Sequence, residues 1–142
     1  MTKKLDKKAV QFCLENQHRF TKPRQKVLST IVKSKKPIKA YEILKKLKKP
    51  LSNPKPPTIY RAIEFGVKHN FIHRIESLNA YTACVENHLH KGSQFLICID
   101  CGKVIESHLC ELPKMIKETT LKNSFKPDSW NLEVNGRCIQ CS

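Results

Sequence analysis

The sequence predicts an α+β fold in two parts, on three observations. Apolar residues recur at helical spacing through four segments up to about residue 69, and then shift to short alternating runs. The charge divides in the same region. Residues 1–80 carry 20 Lys/Arg against 5 Asp/Glu, whereas residues 81–142 carry 7 of each and sum to zero. Finally, two Cys-x-x-Cys pairs, Cys98–Cys101 and Cys138–Cys141, fall only in the neutral part.

The elements follow in order. Leu5, Ala9, Val10, Phe12 and Cys13 form the stripe of a first helix over about residues 4–17, with Cys13 as core. Thr21 begins a second, with Pro23 in its first turn and Val27, Leu28, Ile31 and Val32 on one face; Lys35-Lys36-Pro37 ends it. Ala40, Tyr41, Ile43, Leu44 and Leu47 mark a third, stopped by Pro50. The run 51–57 is a loop by its Pro, Ser and Asn content. Thr58 opens a fourth helix to about His69, with Ile59, Ala62, Ile63 and Val67 inward and Tyr60, Arg61, Glu64 and Lys68 outward. Phe71–Ile75 and Ala80–Cys84 read as a hairpin turning at Ser77–Asn79. Four helices and a hairpin suit a winged helix-turn-helix over residues 1–84.

Residues 85–93 read as a linker, and residues 94–142 as a small αβ domain. Phe95–Cys98 and Lys103–Glu106 form a strand pair around the first Cys turn. A helix runs from about Leu112 to Leu121, and Asn131–Val134 is a strand delivering Cys138 and Cys141. That helix accounts for the 36 residues between the pairs, more than a simple zinc ribbon holds.

Two Cys-x-x-Cys pairs supply the four thiolates of a closed, tetrahedral, structural Zn²⁺ site. A redox dithiol and a disulfide framework are the rival readings. The N-terminus has charge but no apolar stretch after it, so no secretory signal is expected. No apolar run is long enough to span a bilayer. The expectation is a cytoplasmic protein without membrane contact, in which reduced cysteines hold metal.

The net charge of +15 lies wholly in the first 80 residues, which suits double-stranded DNA as partner. A lysine-rich solubility surface is the alternative. Tyr60 and Arg61 fall in the first turn of the recognition helix, which faces base edges; arginine can bond two acceptors on one guanine. Tyr41 and Lys55 are placed for phosphates, with Thr58 beside them at the helix start. Lysines 45, 46, 48 and 49 add sequence-independent attraction.

Enzymatic chemistry finds no support. His-Glu-x-x-His, a phosphate-cradling Gly-rich loop and Gly-x-Ser-x-Gly are all absent, and no His-x-Glu precedes either Cys pair. Four cysteines around one ion leave no open position, so no small-molecule substrate is expected.

Three segments carry a resemblance: Lys55-Pro-Pro-Thr-Ile-Tyr-Arg-Ala-Ile-Glu-Phe65, Phe71-Ile-His-Arg-Ile-Glu-Ser77 and Cys98-x-x-Cys-Gly-Lys-Val-Ile-Glu106. From about Thr21 to Cys141 the chain resembles the ferric uptake regulator (Fur) family, most closely its zinc uptake regulator (Zur) branch. The resemblance implies a metal-dependent winged-helix repressor, a homodimer formed by the C-terminal domain, and an operator of two related half-sites. It also implies a second, regulatory zinc held by His73, Cys84, His90 and Glu106, with His88 possible in place of or beside His90. Two Zn²⁺ per chain follow, the second acting as corepressor. Cys84 favours zinc over iron or manganese, because those ions more often take nitrogen and oxygen. A family member sensing iron, manganese or peroxide is the nearest alternative. A constitutive zinc-stabilised nucleic-acid-binding module is the next. Cys110 reads as packing and His108 as surface. Gly66 departs from the family pattern, in which a larger apolar residue is usual, and predicts a helix that ends or loosens there.

Overall fold

The structure is a computed structural model that describes residues 2–84, 91–107 and 111–142. It divides into two compact units, Met1–Asn87 and His88–Ser142.

The first unit has four helices and a hairpin: α1 (Thr2–Glu15), α2 (Lys22–Lys33), α3 (Ala40–Leu47), α4 (Pro56–Lys68), β1 (Ile72–Ile75) and β2 (Ala80–Ala83). One core joins them, built from Ala9 and Cys13 of α1, Val27, Leu28 and Ile31 of α2, Ile43 and Leu47 of α3, and Ile59, Ala62 and Ile63 of α4. Each set recurs at three- or four-residue spacing, so each helix turns one apolar stripe inward. At the start of α3 the Lys39 backbone N–H donates to the Glu42 carboxylate at 2.9 Å, which satisfies one orphan donor.

Two helix limits differ from expectation. α3 ends at Leu47, before Pro50, and residues 48–51 form turns. α4 begins at Pro56 rather than Thr58, with both prolines in its first two positions and Lys55 as N-cap. Proline suits those positions, because their N–H groups have no partner inside the helix. Tyr60 and Arg61 therefore sit in the second turn.

Gly66 does not end α4. It is buried, and a Cβ there would run into the Ile72 side chain, meeting Cγ1 at 2.9 Å and Cδ1 closer still. Glycine is the residue that lets β1 approach the helix this closely. The hairpin pairs antiparallel, with Ile72 opposite Ala83 and Arg74 opposite Tyr81. Ile38, in the α2–α3 connection, adds a third line to the wing: its N–H donates to the Tyr81 carbonyl and the Tyr81 N–H to its own, both at 2.9 Å.

The second unit has a three-stranded sheet ordered β4-β3-β5, from β3 (Gly92–Cys98), β4 (Val104–Ser107) and β5 (Trp130–Gly136). β3 pairs antiparallel with β4 and parallel with β5, and α5 (Lys114–Lys122) lies between β4 and β5 in the chain. β3 begins at Gly92, inside the run expected as linker. The Trp130 indole covers the place a side chain at Gly92 would take, so Gly92-Ser93 is strand in spite of its linker-like composition. β5 likewise reaches beyond the expected Asn131–Val134 at both ends.

Candidate metal centre and nucleic-acid interface

The two Cys pairs meet through the sheet. β3 runs out at Cys98 and β5 at Gly136, paired opposite each other in the parallel register. Each strand then turns into its Cys-x-x-Cys knuckle. In the first, Gly102 adopts φ +70° and its N–H donates to the Cys98 carbonyl at 3.0 Å. In the second, the Cys141 N–H donates to the Cys138 carbonyl at 2.8 Å. The Arg137–Asp100 ion pair, at 3.0 Å, links one knuckle to the other.

The four Sγ atoms lie within 4.8 Å of one another. Sulfurs about 2.3 Å from one tetrahedral ion stand about 3.8 Å apart, and Cys101 and Cys138 Sγ are 3.8 Å apart. The Cys98 thiol is drawn down to about 6, first by the Cys101 backbone N–H and then by that of Cys138. The Cys138 N–H reaches Cys98 Sγ at 3.3 Å. Cys141 is pushed up to about 12, chiefly by hydrogen bonds with the Cys138 and then the Cys101 thiols. Four thiols this close share protons because their thiolates repel; a divalent cation among them removes that conflict. The donor set therefore fits a structural Zn²⁺.

In the first unit His73 lies on β1 and is buried despite its polarity. Cys84 follows β2, is buried, and donates its N–H to the Phe71 carbonyl at 3.0 Å. The strand pairing brings the two together, so that imidazole nitrogen and thiol sulfur lie within 4.8 Å. Glu106 is on β4 of the second unit and half-buried. His88, His90, His108 and Cys110 lie outside the described residues. Cys13 belongs to the core of α1, and burial pushes its thiol up. Among the described residues no cysteine is in a disulfide.

α4 carries the residues expected to face nucleic acid. Thr58, Tyr60, Arg61, Glu64 and Lys68 are exposed along one side, opposite Ile59, Ala62 and Ile63. Lys55, at its N-cap, is exposed, as is Tyr41 in the first turn of α3. Lys45, Lys46, Lys48 and Lys49 extend the basic surface.

The model of the ferric uptake regulator family matches residues 15–135. The chain belongs to that family. Within it, the chain is 30% identical over 142 residues to the zinc uptake regulation protein of Escherichia coli strain K12, covering 99% of this chain and 82% of that one. A solved zinc uptake regulator complexed with zinc and DNA is similar at a TM-score of 0.88 and 30% identity, over 99% of this chain and 94% of the other. The crystal structure of holo XcZur is similar at 0.79 and 31% identity, over 98% and 94%. The Asn131–Val134 strand was legible in its alternation; its parallel pairing with β3 and the start of β3 at Gly92 were not.

Proposed function

We propose that this Fur-family protein is a zinc-responsive, DNA-binding transcriptional repressor that acts in the cytoplasm as a homodimer and catalyses no reaction. The observation that carries the zinc reading is the buried His73–Cys84 pair carried by the wing hairpin of a basic winged-helix unit. A thiolate beside an imidazole is a donor set for zinc rather than for iron or manganese. Likeness to zinc uptake regulators over nearly the whole chain supports the same conclusion.

Two zinc ions per chain take different parts. Cys98, Cys101, Cys138 and Cys141 hold the structural ion, which stabilises the sheet unit. His73 and Cys84, with Glu106 and His90 completing the set, or His88 in place of or beside His90, hold the regulatory ion. Donors drawn from both units couple zinc binding to the dimer's competence for two half-sites. Without zinc the competent fraction falls, and the apparent DNA affinity falls with it. Tyr60 and Arg61 read base edges, while Tyr41, Lys55 and Thr58 position the backbone.

The dimer is supported by the sheet unit. Leu96, Ile105 and Val134 lie side by side across β3, β4 and β5, and each is 41–46% exposed. No residue of α5 is buried, and Met115 and Leu121 stand open. A second copy would cover such apolar area.

The experiment is duplex binding by the purified protein across buffered Zn²⁺, Fe²⁺ and Mn²⁺. Tightening by zinc is expected. Tightening by iron alone would sink the zinc assignment.

A further inference from the structure

A cleft of about 470 Å³ separates α4 from the wing. Tyr60, Glu64 and Lys68, one helical turn apart, form one wall, and Arg74, Asn79 and Tyr81 of the hairpin form the other. Arg74 is the exposed residue of a strand whose Ile72, His73 and Ile75 are buried. Its guanidinium does not hang free. Nη2 donates to Asn79 Oδ1 at 3.3 Å, and Nε meets Glu76 Oε2 at 3.4 Å. Asn79 occupies the left-handed region at φ 45°, and its N–H donates to the Glu76 carbonyl at 3.1 Å, closing the wing turn. The strand opposite is fixed by the two Ile38–Tyr81 backbone bonds.

A surface ion pair of this length adds little to stability. Together with the Asn79 contact it orients the guanidinium, and the two engage two of its five N–H donors. The rest are available to a ligand in the cleft, alongside the Lys68 ammonium. A helix lying in a major groove with a wing outside it must have one bounding strand pass between them. The cleft is where that strand goes, and its cationic donors match a phosphodiester. Glu64 is the one acidic group among the six, so the grip falls to Arg74 and Lys68.

We propose that this cleft straddles one sugar–phosphate strand of bound DNA, with Arg74 as a wing phosphate clamp held in place by Asn79 and Glu76. The proposal rests on the DNA-binding function above. A contact of this kind is independent of base sequence, so it is tested without knowing the operator.

The test is fluorescence anisotropy of the zinc-loaded full chain on an arbitrary duplex of about 30 base pairs, from about 50 to 200 mM salt. Arg74→Ala is expected to weaken binding about tenfold and to flatten the log–log salt slope by about 1.8, about 0.9 for each of the dimer's two clamps. Arg74→Lys should restore the slope but only part of the affinity, because it keeps the charge and loses the fork. Asn79→Gly, which tolerates the left-handed backbone of the turn, should keep the slope and lose about two- to threefold in affinity, as expected of a positioning residue. Unchanged affinity for Arg74→Ala overturns the proposal, and so does a loss with no change in slope. If the wild type fails to bind duplex, the DNA-binding reading falls with it. If the wild type binds and Arg61→Ala weakens it while Arg74→Ala does not, the clamp alone falls. An unchanged melting midpoint shows that the variants are folded.

Discussion

Replacing Cys98 with serine removes the thiolate that both knuckles share. Its Sγ accepts the Cys138 N–H, and its strand, β3, is the centre of the sheet. Among the described residues, the large apolar side chains the second unit buries are Phe95 and Ile97. At roughly 1.5–3 kcal/mol each they contribute about 3–6 kcal/mol. A structural Zn²⁺ in a small module contributes about 10–16 kcal/mol in apparent terms. The ion therefore outweighs the apolar core, and Cys98→Ser should unfold the second unit while the first, with a core spanning four helices, persists. Amide ¹H–¹⁵N spectra of wild type and variant measure this residue by residue. The expected result is loss of dispersed signals from 92–107 and 111–142, retention of those from 2–84, and about one zinc fewer per chain. A variant that keeps both sets of signals in excess chelator would refute the reasoning.

Other outcomes follow from particular residues. Gly66→Ala gains about 1 kcal/mol of helix propensity but drives a methyl into Ile72; overpacking of about 1–3 kcal/mol should win, lowering the thermal midpoint by a few degrees. A raised midpoint would show that Ile72 moves aside. Cys84→Ser should leave the protein folded and its duplex affinity indifferent to zinc, as read by anisotropy in zinc buffers. The His69 pKa is lowered from 6.5, first by burial and then by His18, Lys68 and Arg24. The unfolded chain therefore takes up that proton at higher pH than the folded one. The resulting stability is complete above about pH 6.5 and is lost as pH falls through that value toward the depressed folded one. Urea midpoints at about pH 7.5 and 5.5 should differ less for His69→Phe than for wild type; an equal difference contradicts this.

Helical stripes in the first unit were legible because each element there buries one periodic face against one core. The order of its elements, its exposed α4 face and the wing follow from 3.6- and 2-residue periods alone. The Cys pairs were legible because ligand spacing is local. What escaped notice depends on partners distant in sequence. Gly92 is strand because Trp130, 38 positions on, lies over it. Gly66 stays within the helix, and its missing side chain leaves room for Ile72 of the strand packed on it. Pro56 and Pro57 look like loop by composition, yet the first turn of a helix tolerates both. Arg74 showed no signal as an isolated basic residue; its place in a cleft emerges from the Asn79 turn and the facing wall of α4.

In the proposed function a closed four-cysteine ion and a second, exchangeable one divide the labour. Zinc counted per chain, before and after mild chelation and alongside duplex affinity, tests it most directly. Two zinc ions falling to one, with DNA affinity falling in step and recovering on zinc addition, is the result expected. One tightly held ion, with DNA affinity indifferent to chelator and to added zinc, would contradict it.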